Sequence, residues 1–297
     1  MPTLLSFGHG YSSAALAALL GPAGWRIIGT TRSADKARAM VAAGVEPLIW
    51  PGTDPAPALA DATHLLTSVA PGEGGDPVLA AHGPAIAAAR HLQWLGYLST
   101  TGVYGHHGGD WVDESAALNP ATERGAARVL AEAAWTDLCR TAGLPLHIFR
   151  LAGIYGPGRG PFEKVRNGTA RRIIKPGQVF SRIHVDDIAR VLAASIARPD
   201  PGVIYNVCDN DPAPPEDVIA HAATLLGLPP PPEQAFDAAD LSPMARSFYA
   251  ESKRVSNRRI REDLGVSLTY PDYRSGLAAL LAAETKEQSN ETLCQDR

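Results

Sequence analysis

The sequence predicts an α/β fold, a doubly wound parallel sheet covered by helices on both faces, with a smaller C-terminal unit. Three observations predict it. Apolar runs of strand length alternate with helical runs through the first half of the chain, the pattern of a parallel sheet whose crossovers are helices. The first of these runs ends in a glycine turn that opens a helix. In the second half, proline clusters and short mixed segments break the alternation.

Each element follows from local chemistry. Thr3–Phe7 is an apolar first strand, and Gly8-His9-Gly10-Tyr11-Ser12-Ser13 leads it into an alanine-rich helix. The second strand is Trp25–Thr30, and a helix over Ala34–Ala43 is stopped by Gly44. Val45–Trp50 makes a third strand, in which Pro47, lacking a donor, implies an irregular or edge-like run. Residues 51–61 read as a Pro/Ala/Asp loop, and Thr63–Val69 as the fourth strand, ending in Ala70-Pro71. A helix around Val78–Arg90 leads to the fifth strand, Trp94–Thr100. The stretch Ala121–Ala142 is helical and Leu146–Arg150 is a sixth strand.

The second half is mixed. Ile183–Ala197 reads as a helix with its approach loop and Val203–Val207 as a seventh strand. Pro214–Leu226 is a helix opened by prolines and acids, as helix starts prefer. Pro229–Pro232 is a stiff linker, and Ser256–Leu264 an arginine-rich helix stopped by Gly265. From Glu284 the sequence is polar without an apolar period, which predicts a disordered tail over 284–297.

Composition narrows the class. The chain has 297 residues, 45% of them apolar and 20% charged, ample for a buried core. A net charge of −4 gives no electrostatic reason to bind nucleic acid or a membrane surface. No apolar stretch approaches a membrane span, and the chain starts directly into a strand. Cys139, Cys208 and Cys294 lack a metal-ligand spacing. Their odd number fits reduced thiols, so a cytoplasmic location without a metal is expected.

The glycine turn has a chemistry. Gly8 permits a tight turn and Gly10 a close backbone approach, while Ser13 stands small in place of a third glycine. The helix from Ser12 then aims free N–H groups at an anion, as a pyrophosphate requires. After the second strand come Thr31, Arg32 and Ser33, with Lys36 one turn later and no acid before Asp35. A carboxylate at that place suits the ribose 2′-hydroxyl of NAD, whereas a guanidinium fork suits a 2′-phosphate. NADP(H) is therefore expected in preference to NAD.

Further motifs follow in a characteristic order. The fifth strand ends in Ser99-Thr100-Thr101-Gly102-Val103-Tyr104-Gly105, and Arg150 precedes Gly153-Ile154-Tyr155-Gly156-Pro157-Gly158-Arg159. Then come Arg182-Ile183-His184-Val185-Asp186-Asp187 and Tyr205-Asn206-Val207. With the Gly8/Gly10 turn, these make the chain resemble the extended short-chain dehydrogenases/reductases, the family that includes nucleotide-sugar epimerases and dehydratases. The resemblance covers nearly the whole chain. It implies a Rossmann domain from residues 1–152, 181–211 and 268–283, and a substrate domain from 153–180 and 212–267.

The resemblance also implies roles. Thr100, four residues before Tyr104, would hydrogen-bond the reacting oxygen, and Tyr104, Tyr155, Arg159 and Arg182 would line the substrate. Val69 and Ala70 would border the cofactor, and Gly153 and Ile154 would contact its nicotinamide. The family's Tyr and, four residues later, Lys fall in register on Arg124 and Arg128. Guanidinium has a pKa near 12.5–13.8, so Arg124 cannot act as a general acid–base at neutral pH. It can still stabilise an oxyanion or grip an anion, and Arg128 can bond the nicotinamide ribose. A histidine is the simplest replacement proton donor, and His184 is favoured over His106, His107 and Tyr155. Lys164, Arg166, Arg171, Arg172 and Lys175 lean toward an anionic substrate.

The expected activity is thus an NADP(H)-dependent oxidoreductase of atypical type, acting on a small carbonyl or alcohol. Two alternatives stand beside it: a nucleotide-sugar epimerase or dehydratase, and a non-catalytic dinucleotide-binding redox sensor. Members of the family it resembles are often dimers, and the alanine-rich helix Gly125–Ala134 would suit close packing, but the sequence leaves monomer and homodimer both open.

Overall fold

Seven parallel strands build the central sheet of the computed structural model, which describes residues 1–295, with side chains as far as residue 286. In chain order the first elements are β1 (Thr3–Phe7), α1 (Tyr11–Leu20), β2 (Arg26–Thr31), α2 (Ala34–Ala42) and β3 (Glu46–Ile49). Next come α3 (Ala56–Asp61), β4 (His64–Thr67), α4 (Pro77–Ala88), β5 (Trp94–Thr100), β6 (Trp111–Val112) and α5 (Glu123–Ala142). β7 (Leu146–Leu151), β8 (Gly153–Tyr155), α6 (Phe162–Arg166), β9 (Arg172–Ile174), β10 (Arg182–His184), α7 (Val185–Ala197) and β11 (Ile204–Val207) follow. The chain closes with α8 (Pro215–Leu225), β12 (Glu233–Ala235), α9 (Pro243–Phe248), β13 (Arg254–Val255), α10 (Arg258–Glu262) and α11 (Tyr273–Gln295).

The sheet order is β3-β2-β1-β4-β5-β7-β11. The order reverses between β1 and β4, and open α/β sheets bind ligands outside the strand ends at such a point. Side chains alternate to two buried faces. Leu4 and Leu66 meet Leu16 of α1 and Ile188 of α7, while Leu5, Phe7 and Leu65 meet Ile86 of α4 and Trp135 of α5. Strands buried on both sides need continuous apolar runs, which the sequence carries. β3 pairs only with β2, so Pro47 sits on an edge strand as its missing donor requires.

A third core joins Tyr155, Phe162 and Val165 to Val218, Ala222, Tyr273, Leu277 and Leu280. The start of α11, which the sequence alone groups with the sheet, therefore packs in the smaller unit. Conversely Val255, Ile260 and Leu264, assigned from sequence to that unit, join the core under the sheet.

Two local expectations are corrected. Residues 51–61 are not all loop: Ala56–Asp61 form α3, because buried Ala58 and Leu59 give this short alanine-rich run a face to pack. The tail expected to be disordered from 284 continues α11 as far as Gln295, since extending a helix already nucleated by packed turns costs little. Residues 296 and 297 lie outside the described residues. Among the described residues no helix is long and apolar enough to cross a membrane.

Candidate functional site

The glycine turn lies at the carboxyl ends of β1 and β4. Gly8 has φ +75°, and a Cβ there would sit 2.9 Å from Val69 Cγ2, so a side chain is excluded twice. The turn is clamped from both sides. Gly8 N–H donates to Thr30 Oγ1 at 2.8 Å, and Ser68 Oγ donates to Gly8 O at 2.5 Å. Gly10 caps α1 without a side-chain bond, and the first helical bond is Ala14 N–H to Gly10 O at 2.8 Å. The amides of Tyr11, Ser12 and Ser13 therefore precede the helical ladder. Ser13 is buried and its Oγ has no partner. Such a helix start attracts an anion. Ala70, exposed, and Val69, half-buried, border it after β4.

At the end of β2 the charge is one-sided. Arg32 and Lys36 are both exposed. Ser33 caps α2 by accepting Lys36 N–H at 3.3 Å. The one nearby acid, Asp35, is paired with Arg38. Among the described residues neither Arg32 nor Lys36 has an ion-pair partner, an arrangement that suits a phosphate. His9, the middle residue of the turn, is buried against β2. Sequence reasoning passes over it, although a glycine in mid-strand at position 29 signals a bulky neighbour.

The carboxyl end of β5 holds a buried polar network. Glu132 of α5 accepts from Ser99 Oγ at 2.5 Å and pairs with Arg150 of β7 at 2.7 Å. Arg150 Nη1 also donates to Tyr104 OH at 2.9 Å, and that hydroxyl donates to Asn206 Oδ1 at 2.7 Å. Tyr104 is fully buried, and burial pushes its phenol up to about 12 against the pull of Arg150. It holds the strand ends together and does not line a substrate space. Thr100, next to Ser99, is half-buried and accepts Gly102 N–H at 3.1 Å. Its own hydrogen stays free to donate to a substrate oxygen.

The other expected catalytic groups have structural partners. Arg124 is exposed, donates to Ser247 Oγ of α9 at 2.8 Å and lies 5.4 Å from the Phe248 ring centre. Arg128 is folded back on β5, bonding Leu98 O and Tyr97 OH. His184, expected as a proton donor, caps α7: it is 1% exposed, and Nδ1 accepts Asp186 N–H at 3.2 Å, while Nε2 is buried without a hydrogen-bond partner. Its ring lies against Tyr270 and Tyr155, and burial lowers its pKa despite Asp186 and Asp187. His106 accepts Ser252 N–H at 3.0 Å, and the His107 ring meets Tyr104 O at 3.1 Å.

Tyr155, expected at the substrate, is buried in the third core against α11, where its ring fills the space that Gly276 leaves. Gly153 is exposed and Ile154 half-buried, both on β8 beside β10. Arg159 stacks 4.7 Å from the ring centre of Tyr11, whose hydroxyl donates to Pro157 O at 2.8 Å. Arg182 donates to Phe180 O and Ala213 O and so caps backbone in place of a substrate. Near it, Asp209 is 1% exposed and burial pushes it up to about 8. Sequence reasoning gives no signal for this residue. The basic stretch does not form one cluster: Arg166 pairs with Glu284, Arg172 with Glu233, and Lys175 bonds Tyr249 O.

Comparison with known proteins agrees with this architecture. Residues 84–208 match the NAD dependent epimerase/dehydratase family. The chain is 30% identical over 281 residues to Protein YeeZ of Escherichia coli (strain K12), covering 89% of this chain and 95% of that protein. It is 31% identical over 165 residues to a 3-diazoavenalumate denitrifying reductase of Streptomyces sp, about half of each chain (51% and 52%). A conserved protein of unknown function from Silicibacter pomeroyi is 62% identical, with TM-score 0.90 over 96% of this chain and 99% of that one. The sheet order, the glycine turn at its switch point and these relatives together identify the chain as a member of the NAD-dependent epimerase/dehydratase family.

Proposed function

We propose that the protein is an NADP(H)-dependent oxidoreductase acting on a small carbonyl or alcohol substrate. The observation that carries this reading is Arg32, exposed at the end of β2 after the strand that clamps the glycine turn, with no ion-pair partner among the described residues. The residues fit a dinucleotide diphosphate: Gly8 makes room, the amides of Tyr11, Ser12 and Ser13 face the anion, and Ser13 Oγ awaits a partner. Arg32 and Lys36 would hold the 2′-phosphate. A bound nicotinamide would supply or accept the hydride.

Thr100 then orients the substrate oxygen. Its Oγ1 is fixed by Gly102 N–H, so the hydroxyl proton points away from that bond and toward an incoming oxygen. The family's tyrosine position holds Arg124, whose guanidinium cannot relay a proton at neutral pH, and missing acid–base catalysis costs roughly 10²- to 10⁴-fold in rate. The reading therefore predicts slow turnover, or an activated substrate that needs little proton help. A substrate oxyanion can draw on the positive charge of Arg124. The reductase name of the Streptomyces relative supports hydride chemistry, and the commitment of His184, Tyr104 and Tyr155 to structural contacts weighs against an epimerase.

Calorimetry with NADPH and NADH, followed by turnover of a carbonyl panel, tests the proposal. NADPH should bind at least tenfold more tightly, about 1.4 kcal/mol, and at least one carbonyl should be reduced. No heat with either dinucleotide would overturn it.

A further inference from the structure

His9 stands between the two glycines of the turn, and its side chain leaves the anion-binding amides and runs toward β2. The backbone N–H of His9 donates to Thr30 O at 2.9 Å. Its ring lies over mid-strand, in the space that Gly29 leaves open: a Cβ on Gly29 would fall 2.7 Å from His9 Cγ and 2.6 Å from Met40 Cε. The residue is only 3% exposed, and Nδ1 is buried with no hydrogen-bond partner. A buried polar atom left unpaired costs about 1–3 kcal/mol, so a ring used only for filling space would be better replaced by an apolar one.

The surroundings explain its charge state. Burial first, and Lys36 second, bring the imidazole down to about 4, so it is neutral in the free protein. Lys36 on α2 is the charged group facing it. Gly29 of β2 and Met40 of α2, which do not titrate, border the space the ring fills. Arg32 follows on the same strand end, and Asp35 is occupied by Arg38. The imidazole therefore lies between β2 and α2, with Lys36 the charged group that acts on it.

Resting on the NADP(H) reading, we infer that His9 is the proton-coupled third member of the 2′-phosphate site. Neutral and unpaired without ligand, it takes one proton from solvent when a phosphate dianion settles beside Arg32 and Lys36. The physical cause is the sign of the local field. Lys36 disfavours the imidazolium, whereas a dianion within about 4–6 Å favours it. An unphosphorylated ribose brings no such charge and leaves His9 neutral. Selection between the two dinucleotides then depends on pH as well as on Arg32.

The test is calorimetry of the full chain with NADP⁺ and with NAD⁺ in two buffers of different ionisation enthalpy, which counts protons bound per ligand. The wild type is compared with His9→Gln. A phosphate monoester has its second pKa at about 6, and any proton it releases is common to both proteins. With NADP⁺ the wild type should take up more protons than His9→Gln, the gap growing as pH falls from 7.5 to about 6. With NAD⁺ the two should agree. The variant should bind NADP⁺ about tenfold more weakly and NAD⁺ unchanged.

Equal proton numbers with NADP⁺ overturn the role of His9 while leaving the cofactor assignment intact. A wild type that binds neither dinucleotide overturns the assignment itself. Should His9→Gln fail to fold, imidazole ¹⁵N spectra of the wild type decide. The His9 nitrogens must move to imidazolium shifts with NADP⁺ and not with NAD⁺, and no movement sinks the inference.

Discussion

Replacing Glu132 by alanine strands a buried guanidinium. The side chains of Arg150 and Glu132 are 3% and 5% exposed, and Arg150 Nη2 meets Oε2 at 2.7 Å while Nε meets Oε1 at 3.1 Å. After the substitution Arg150 keeps only the Tyr104 hydroxyl at 2.9 Å, and Ser99 Oγ loses its acceptor. Removing one partner of a buried pair costs about 3–5 kcal/mol, and the orphaned serine adds about 1 kcal/mol. With a urea slope of roughly 3 kcal/mol per molar, the midpoint should fall by about 1.5 M. Equilibrium unfolding followed through the buried Trp94 and Trp135 measures it. The double variant Glu132→Leu with Arg150→Met removes both charges and should recover most of the loss, because the pair itself is near break-even against apolar packing. A midpoint for Glu132→Ala within roughly 0.3 M of wild type, or a double variant less stable than Glu132→Ala, would refute the reasoning.

Other outcomes follow from the same geometry. Arg32→Asp should weaken NADPH at least tenfold by removing charge-assisted bonds of about 1.5–3 kcal/mol, and leave NADH nearly unchanged; equal loss of both in calorimetry counts against the 2′-phosphate assignment. Thr100→Val should leave dinucleotide affinity within about twofold and lower turnover by roughly 10²-fold, read as kcat at saturating substrate. His64, held at about 4 by burial, binds its proton less readily folded than unfolded. Its contribution is therefore complete above pH 6.5 and lost as pH falls toward 4. Between pH 6.5 and 4.5 the His64→Gln variant should lose about 2 kcal/mol less stability than wild type, a difference that urea titrations at the two pH values resolve.

Local chemistry was the legible part of this chain. Thr3–Phe7 and Trp94–Thr100 begin and end where their apolar runs do, and Gly8 takes the positive φ expected of a phosphate turn. Pro47 marks β3 as irregular or edge-like, because a missing N–H is a property of the residue itself, and the sheet order makes it the edge. α3 escaped notice since six residues carry too short a period to distinguish helix from loop, and only the packing of Leu59 settles them. The site was legible as a set of elements and much less as a set of directions. Spacing puts His184 at the start of a helix, but whether its ring faces a cleft or caps that helix depends on Tyr155 and Tyr270, which arrive from distant sequence. Arg124 likewise meets Ser247, 123 residues away. Tyr104 looks like a substrate residue until Arg150 and Asn206 converge on its hydroxyl.

The Tyr11–Pro157 bond has a consequence for communication within the molecule. Tyr11 is the first residue of α1, whose leading amides form the anion site, and its hydroxyl and ring hold Pro157 and Arg159 across 146 residues of chain. One neutral hydrogen bond and one exposed ring–guanidinium contact together amount to about 1–2 kcal/mol. That is enough to keep the tether closed most of the time and little enough for thermal motion to release it. A single aromatic side chain thus fastens the start of the first helix to a loop far along the chain, and the two can shift only together or by breaking that contact.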